Sequence, residues 1–420
     1  MAVAAVIAIG SGLAFALSPA SLTVLGNLVG STGDRFLLVI VLAAVMHACT
    51  AVTYGRAARL FPGPTSESRL IGSLCGELAG AALPLMARWP MAVVGSTALL
   101  VTAGYTFNEV FVRWFPNLGF SFLLLACLAV INLANERIWI IFQGTFLAVA
   151  MLGLLTLVAV GLLMPATPLA ETPAVVPSHS SMAIGVNAFS LFLGFDLAVY
   201  LSHSWRPPTV WWIAGLMLSA IGLLLWGWVS AQHVAALRLA ESSLPHMLVA
   251  KTIFGEHGRW LMGSVGIAGT CAAVNLLFRG TTQATLAVAG SVARSKWVAS
   301  RWRRKLPTLV LAALVAAMFG TGMGGESILD AWLAGSLWLW LASHAVLHAA
   351  LIVQRLAPEH RPVKAVSAFA HAYIALVIIG AVLLGALMLS PAPRQQIVFM
   401  TVVGLGTVIL VYLYRRYPGV

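Results

Sequence analysis

Charge is the scarce ingredient of this chain. Asp, Glu, Lys and Arg make up 9% of its 420 residues, and only 12 of those are acidic. Soluble domains carry roughly a quarter charged residues, so a water-soluble globular enzyme is excluded. A disordered chain, which needs the opposite balance of charge and apolar content, is excluded with it. Cysteine is scarce too: Cys49, Cys75, Cys127 and Cys271 stand singly in or near apolar segments, with no CxxC spacing. That argues against a disulfide framework or a thiolate metal centre, and for buried small hydrophobes. No nucleophile, base and metal-ligand set clusters in the sequence, so no catalytic residue and no cofactor is expected. Charged rings and filter repeats are missing as well, which disfavours a channel.

What is present is apolar length. A bilayer-crossing helix needs ~20 mostly apolar residues. Ten stretches are free of Asp, Glu, Lys and Arg: 1–33, 36–55, 89–108, 114–135, 138–170, 207–237, 306–325, 331–354, 365–393 and 395–414. Two more, 172–205 and 260–293, are each broken by a single charge, Asp196 and Arg279. The expectation is an all-α integral membrane protein of about twelve spans. With the N-terminus inside, 17 of the 24 Lys and Arg residues fall in inner loops, Arg88 among them, and 6 in outer ones. The positive-inside rule therefore puts both termini in the cytoplasm and the chain in the cell (inner) membrane. Ala14-Phe15-Ala16 has the small-residue form of a cleavage site, but no Lys or Arg precedes it, so the first segment reads as a retained span.

The formal charge is +12. Its densest basic run is 294–305 (RSKWVASRWRRK), between two spans on the inner side. Anionic headgroups of the bilayer are its expected partner, rather than nucleic acid. The segment 164–181 is rich in Pro, Ser and Thr without Lys or Arg, as an external loop should be.

Two spans are interrupted by glycine. The first reads AVIAIGSGLAFAL, with Gly10-Ser11-Gly12, and the sixth reads AFSLFLGFDLAVYL, with Gly194-Phe195-Asp196. Glycine disfavours continuous helix, and broken helices at membrane depth survive only where protein or a cavity surrounds them. Interruptions five spans apart are the mark of a binding site between inverted repeats. The competing account is that these glycines only permit close helix packing.

These motifs resemble the amino acid–polyamine–organocation (APC) permease family. Its first helix opens with a G-S-G-like break, matched by Gly10-Ser11-Gly12. A small-residue, aromatic-proline segment follows its second helix, matched by Ala57-Ala58-Arg59-Leu60-Phe61-Pro62. Its sixth helix carries G-F-D or G-F-E and then a basic-proline turn, matched by Gly194-Phe195-Asp196 and Arg206-Pro207-Pro208. The elements at 242–245, Ile253-Phe254-Gly255 and Ala273-Val274-Asn275 are similar to shorter bacterial members that include methionine and branched-chain amino acid exporters. The sequence departs from the pattern after Pro62, where Gly63-Pro64-Thr65-Ser66 replaces a Gly-Gly pair, and before Arg206, where Ser202-His203-Ser204 replaces an acid.

The resemblance implies a LeuT-like fold: a five-helix repeat over 1–163, an inverted repeat over 182–356, and two accessory helices over 363–414. It implies that Gly10, Ser11 and Gly12 receive the carboxylate of an amino acid, and that carbonyls around Phe195 face its amine. Phe195 would either close over the substrate or pack in the core. The expected activity is secondary transport of a small neutral or apolar amino acid. An amine or polyamine, bound at Asp196 or Glu109, is the first alternative, and a membrane-embedded enzyme the second.

Single residues sharpen this. Asp196 costs ~2.5–3.5 kcal/mol at a bilayer centre, so it is either functional or the cap of a half-helix. Asn275, Arg279, Thr282 and Gln283 fall on one helical face. In that stripe Arg279 is expected to stand in for a coupling cation and make transport sodium-independent, or else to snorkel to the inner interface. Glu109 and Arg113, at i and i+4, are expected to pair near the outer end of span three, with gating as a further possibility. His344 and His348 share a face but lack a flanking acid or cysteine, so no metal site is expected there.

Overall fold

The structure, a computed structural model, describes residues 2–166, 186–201, 209–292, 302–323, 327–356 and 365–416. Most of 164–181, the turn Arg206-Pro207-Pro208 with the preceding Ser202-His203-Ser204, and 294–301 of the basic run lie outside the described residues. Among the described residues there is no strand. Eight helical stretches are long and apolar enough to cross a membrane: Pro19–Leu60, Glu77–Val110, Glu136–Leu163, Thr209–His233, Pro245–Ser291, Ile328–Gln354, Phe369–Leu389 and Pro393–Arg416. Ala5–Ala16, Asn117–Leu133 and Val186–Leu201 are apolar but shorter. Eight differs from twelve for a physical reason. Some apolar segments are broken or short, and the first long stretch contains two helices separated at Gly33, whose φ is 54°.

The first repeat expected from the sequence contains α1 (Ala2–Ala16), α2 (Pro19–Thr32), α3 (Phe36–Leu60), α4 (Ser66–Cys75), α5 (Glu77–Pro90), α6 (Ser96–Val110), α7 (Asn117–Leu133) and α8 (Glu136–Leu163). After it come the irregular segment Val186–Leu201, ending in the one-turn α9 (Ala198–Leu201), then α10 (Thr209–His233), α11 (Ala236–Glu241) and α12 (Pro245–Val292). Last come α13 (Leu306–Gly320), α14 (Ser327–Leu356), α15 (Ala365–Leu389) and α16 (Pro393–Arg416). Phe254 and Gly255 leave helical geometry inside α12, so it is two helices joined at a kink. Pro90 ends α5, and a π turn over Met91–Gly95 carries the chain into α6, a known way of absorbing a residue that cannot donate to the helix ladder.

The first helix does break, but not at Gly10-Ser11-Gly12. Helix α1 runs unbroken through all three residues. The break falls at Leu17-Ser18. Ser18 is extended (φ −72°, ψ 151°), its Oγ accepts from the Ser21 amide at 3.3 Å, and Pro19 opens α2. Ser-Pro is a strong start signal: the proline fixes φ for the first helical position and pushes its predecessor out of the helical region. The glycines serve packing instead. A Cβ on Gly12 would stand 3.0 Å from the Gly215 backbone of α10, and one on Gly10 would stand 2.8 Å from the Leu147 side chain of α8. The second break is where the sequence indicated: Leu193 is extended, and Gly194 has φ 97°.

In the core, α8 packs on α12, α1 on α10, α3 on α10, α6 on α12, α7 on α13, and α14 on α5 and α15. The outermost helix, α16, exposes Val402, Leu405 and Leu410, as a lipid-facing surface should.

The α1 break is clamped by α12, where a Cβ on Gly269 would stand 2.1 Å from the Leu17 carbonyl. Gly144 of α8 faces open space. We expect Gly269→Ala to lower the melting temperature in detergent by several degrees, at a cost of about 1–3 kcal/mol for overpacking. Gly144→Ala should be neutral or stabilising by up to about 1 kcal/mol. Equal melting temperatures for the two variants would show that the clamp is absent.

Candidate functional site

Helix α1 meets the second break. Ser11 Oγ donates to the Ala8 carbonyl at 2.9 Å and lies 3.2 Å from the Phe195 carbonyl, so α1 is tied to the second interrupted segment. The Phe15 ring lies against Gly194, where a Cβ would come within 2.4 Å of it, and meets Trp340 edge-on at 6.4 Å. Gly194 therefore needs both its left-handed φ and its missing side chain. Phe195 is wholly buried in an aromatic cluster with His47, Tyr54 and His344.

Directly past Gly194 lies a group of charges without solvent exposure. Arg88 of α5 forms a two-point pair with Glu67 of α4: Nη1 to Oε1 at 3.2 Å and Nη2 to Oε2 at 2.8 Å. Its Nη2 also donates to Asp196 Oδ2 at 2.7 Å and to the Tyr54 hydroxyl at 3.1 Å, while Nη1 donates to the Pro84 carbonyl at 3.0 Å. Glu67 accepts further from the Tyr200 hydroxyl and from Ser343 Oγ. Asp196 Oδ2 accepts from Trp340 Nε1 at 3.1 Å, and the Tyr54 hydroxyl lies 3.4 Å from it. The guanidinium also lies over the rings of Tyr200 and Trp340.

Asp196 therefore caps no helix; it is held by side chains from α3, α5 and α14. The sequence marked Asp196 but not its partners. Charged residues served there as loop markers, which put Arg88 in an inner loop. The structure buries it completely within α5, because a carboxylate on each side replaces water around the guanidinium. The available signal was Arg88 itself, one turn after Pro84 and flanked by the small apolar Ala81, Ala82 and Ala87.

One histidine reaches this group. His344 Nε2 stands 3.5 Å from Asp196 Oδ2, but neither ring nitrogen has a hydrogen-bond partner among the described residues. His348, one turn on, is bracketed by Thr50 and Thr53 at 3.1 and 3.0 Å. The two histidines thus face different partners, and no group of three metal-ligating side chains occurs among the described residues.

The polar stripe of α12 divides. Asn275 is buried in an amide ladder, accepting from Asn132 at 2.7 Å and donating to Gln143 at 2.8 Å. Arg279, Thr282 and Gln283 instead line a cavity of about 1000 Å³ together with Glu136, Arg304 and Lys305. Arg279 sits 3.4 Å from the Asn132 carbonyl and over Trp139. It is ten residues beyond Gly269, about 15 Å along the helix, so it does not stand beside the α1 break as a substitute ion would. Glu109 pairs differently from expectation. Its partner is Arg259 of α12, through the backbone carbonyl at 2.6 Å and the carboxylate at 3.9 Å. Among the described residues no ion pair joins it to Arg113.

Comparison of the chain with family models and with curated proteins finds no match.

The charge group admits a direct test. Removing one member of a buried pair strands the other, at about 3–5 kcal/mol. Arg88→Met should abolish recovery of monodisperse protein. Adding Glu67→Gln and Asp196→Asn to it should restore much of the monodisperse peak. If the single variant purifies and melts like wild type, Arg88 is not the counter-ion of both acids.

Proposed function

We propose that this protein is a secondary transporter of a small neutral amino acid, working by alternating access in the cytoplasmic membrane with both termini inside. The observation that carries this reading is the meeting of two interrupted helical segments, α1–α2 and 186–201, at the centre of the bundle through Ser11, Phe15 and Gly194. Interrupted helices expose backbone groups of both signs, which suit the carboxylate and ammonium of an amino acid.

The packing supports two inverted repeats over 1–163 and 182–356. Exchange α1–α2 with 186–201, α3 with α10, α5–α6 with α12, α7 with α13 and α8 with α14. The contact of α1 with α10 then answers that of Phe189–Phe192 with α3, and α8 on α12 answers α14 on α5, while α3–α10, α6–α12 and α7–α13 are their own counterparts. This is the arrangement that the APC resemblance implies, with α15 and α16 as accessory helices over 363–414. Carriage of an amine is less favoured, since Asp196 is engaged by Arg88 and Glu109 by Arg259.

In this reading transport runs by proton coupling or exchange, and its independence of sodium is an expectation to be tested, which Arg279, set away from the α1 break, does not carry. The test is uptake of radiolabelled neutral amino acids into proteoliposomes. Uptake should be saturable, blocked by unlabelled substrate, and unchanged when choline replaces sodium at fixed pH. Folded protein that moves no amino acid would overturn the reading; uptake that follows a sodium gradient would overturn its coupling.

A further inference from the structure

The charge group does not balance. Glu67 and Asp196 bring two negative charges and Arg88 one positive, all at zero exposure. A lone buried charge is among the most costly features a protein interior can hold, more so in a membrane. We propose that Asp196 and His344 together bind a proton, and that this proton is the coupling ion. The proposal rests on the transporter reading above.

Geometry selects the pair. Both Glu67 oxygens are engaged, Oε1 by Arg88 and Ser343 and Oε2 by Arg88 and Tyr200. Glu67 therefore has no oxygen left without a donor. Asp196 is lopsided: Oδ2 takes the donors from Arg88 and Trp340, and Oδ1 has none among the described residues. His344 of α14 is wholly buried; among the described residues neither nitrogen makes a hydrogen bond, and Nε2 stands 3.5 Å from Asp196 Oδ2. An unpartnered buried polar group asks for an explanation. One proton on His344 neutralises the group and, with Nε2–H toward Oδ2, turns the 3.5 Å approach into an imidazolium–carboxylate contact. A sodium ion fits less well, because it needs several oxygens and only Asp196 Oδ1 is free in this group.

The other titratable neighbours are accounted for. From α3, His47 approaches His344 at 6.4 Å between ring centroids; its Nδ1 lies 2.9 Å from the Ala43 carbonyl, and its Nε2 is unpartnered. Tyr54, also from α3, packs edge-on to His344 and lies 3.1 Å from Arg88. Tyr200 follows Asp196 and is held by Glu67. His348 has Thr50 and Thr53 on its two nitrogens, and His371 of α15 acts on it electrostatically.

Asp196 lies two residues past Gly194, at the head of the inner part of the broken segment. A proton there changes how firmly that part is held to α14, and α14 belongs to the same proposed repeat while α5 belongs to the other. Because Asp196 Oδ2 is shared between His344 of its own repeat and Arg88 of the other, loading the proton shifts the balance between the tie within the repeat and the tie across the repeat interface.

The experiment uses the full chain with isotope-labelled histidine in nanodiscs, read by solid-state NMR, with protons as the only added ligand. The His344 signal is assigned by its loss in His344→Gln. In wild type the ring should pass from imidazolium to neutral as pH is raised while the protein stays folded, indifferent to sodium. In Asp196→Asn the imidazolium signal should be lost or appear only at lower pH. A wild-type His344 that stays neutral throughout overturns the proposal, and so does an equal midpoint in Asp196→Asn. The wild-type titration stands even if a variant fails to fold. In proteoliposomes an inward proton gradient should accelerate amino acid uptake by wild type, and His344→Gln should lose that acceleration. If uptake occurs but ignores the gradient, the coupling role fails and the transporter reading survives. If His344 titrates as described yet no amino acid moves, the proton site survives, and both the transporter reading and the coupling role fail.

Discussion

One guanidinium organises the centre of this molecule. Arg88 reaches Glu67 on α4, Tyr54 on α3 and Asp196 on the interrupted segment, and its ring contacts extend to Tyr200 and Trp340. In an apolar bundle with so few charges, nothing else can solvate it. The constraint works in both directions. Glu67 and Asp196 can be buried only because Arg88 is there, and α4 can lie against α5 and α14 only because Glu67 has somewhere to go. The π turn after Pro90 lies immediately beyond Arg88, so the one irregularity of the α5–α6 path falls beside its one buried charge.

Glycine and proline divide the remaining work. Ser18 and Pro19 cut the first apolar stretch in two, and Gly194 cuts the sixth. Other glycines let backbones approach. Gly269 admits the Leu17 carbonyl to α12, and Gly12 and Gly215 admit α1 to α10. The breaks are therefore held by close contacts on several sides rather than left open. That is the condition under which non-helical backbone persists at membrane depth.

The apolar helices were legible because their driving force is local: long runs without charge have few alternatives in lipid. Gly194 was legible for the same reason, since a glycine beside a charge within an apolar run is hard to read as anything but a break. Gly10-Ser11-Gly12 misled because glycine marks both close packing and interruption, and only the facing helices, α8 and α10, decide which. Ser18-Pro19 carried the better signal. Glu67 and Arg88 were illegible because counting charges assigns them to loops, whereas their burial depends on Asp196, more than a hundred residues away. Glu109 likewise found Arg259 rather than its helical neighbour, since tertiary packing outweighs the small worth of an exposed i,i+4 pair.

The two polar regions differ in sign and in how their charge is compensated. The cavity beside α12 is lined by Arg279, Arg304 and Lys305 against Glu136 alone, so it favours an approaching carboxylate. The buried group around Asp196 sets two carboxylates against one guanidinium, all without solvent exposure. The cavity is bordered by basic side chains that solvent and ions can screen. The group around Asp196 is closed in by Tyr54, Tyr200, Trp340 and Ser343. Charge that no solvent reaches has to be offset by donors built into the fold, which is why hydroxyls and a ring N–H from three separate helical segments converge on Glu67 and Asp196.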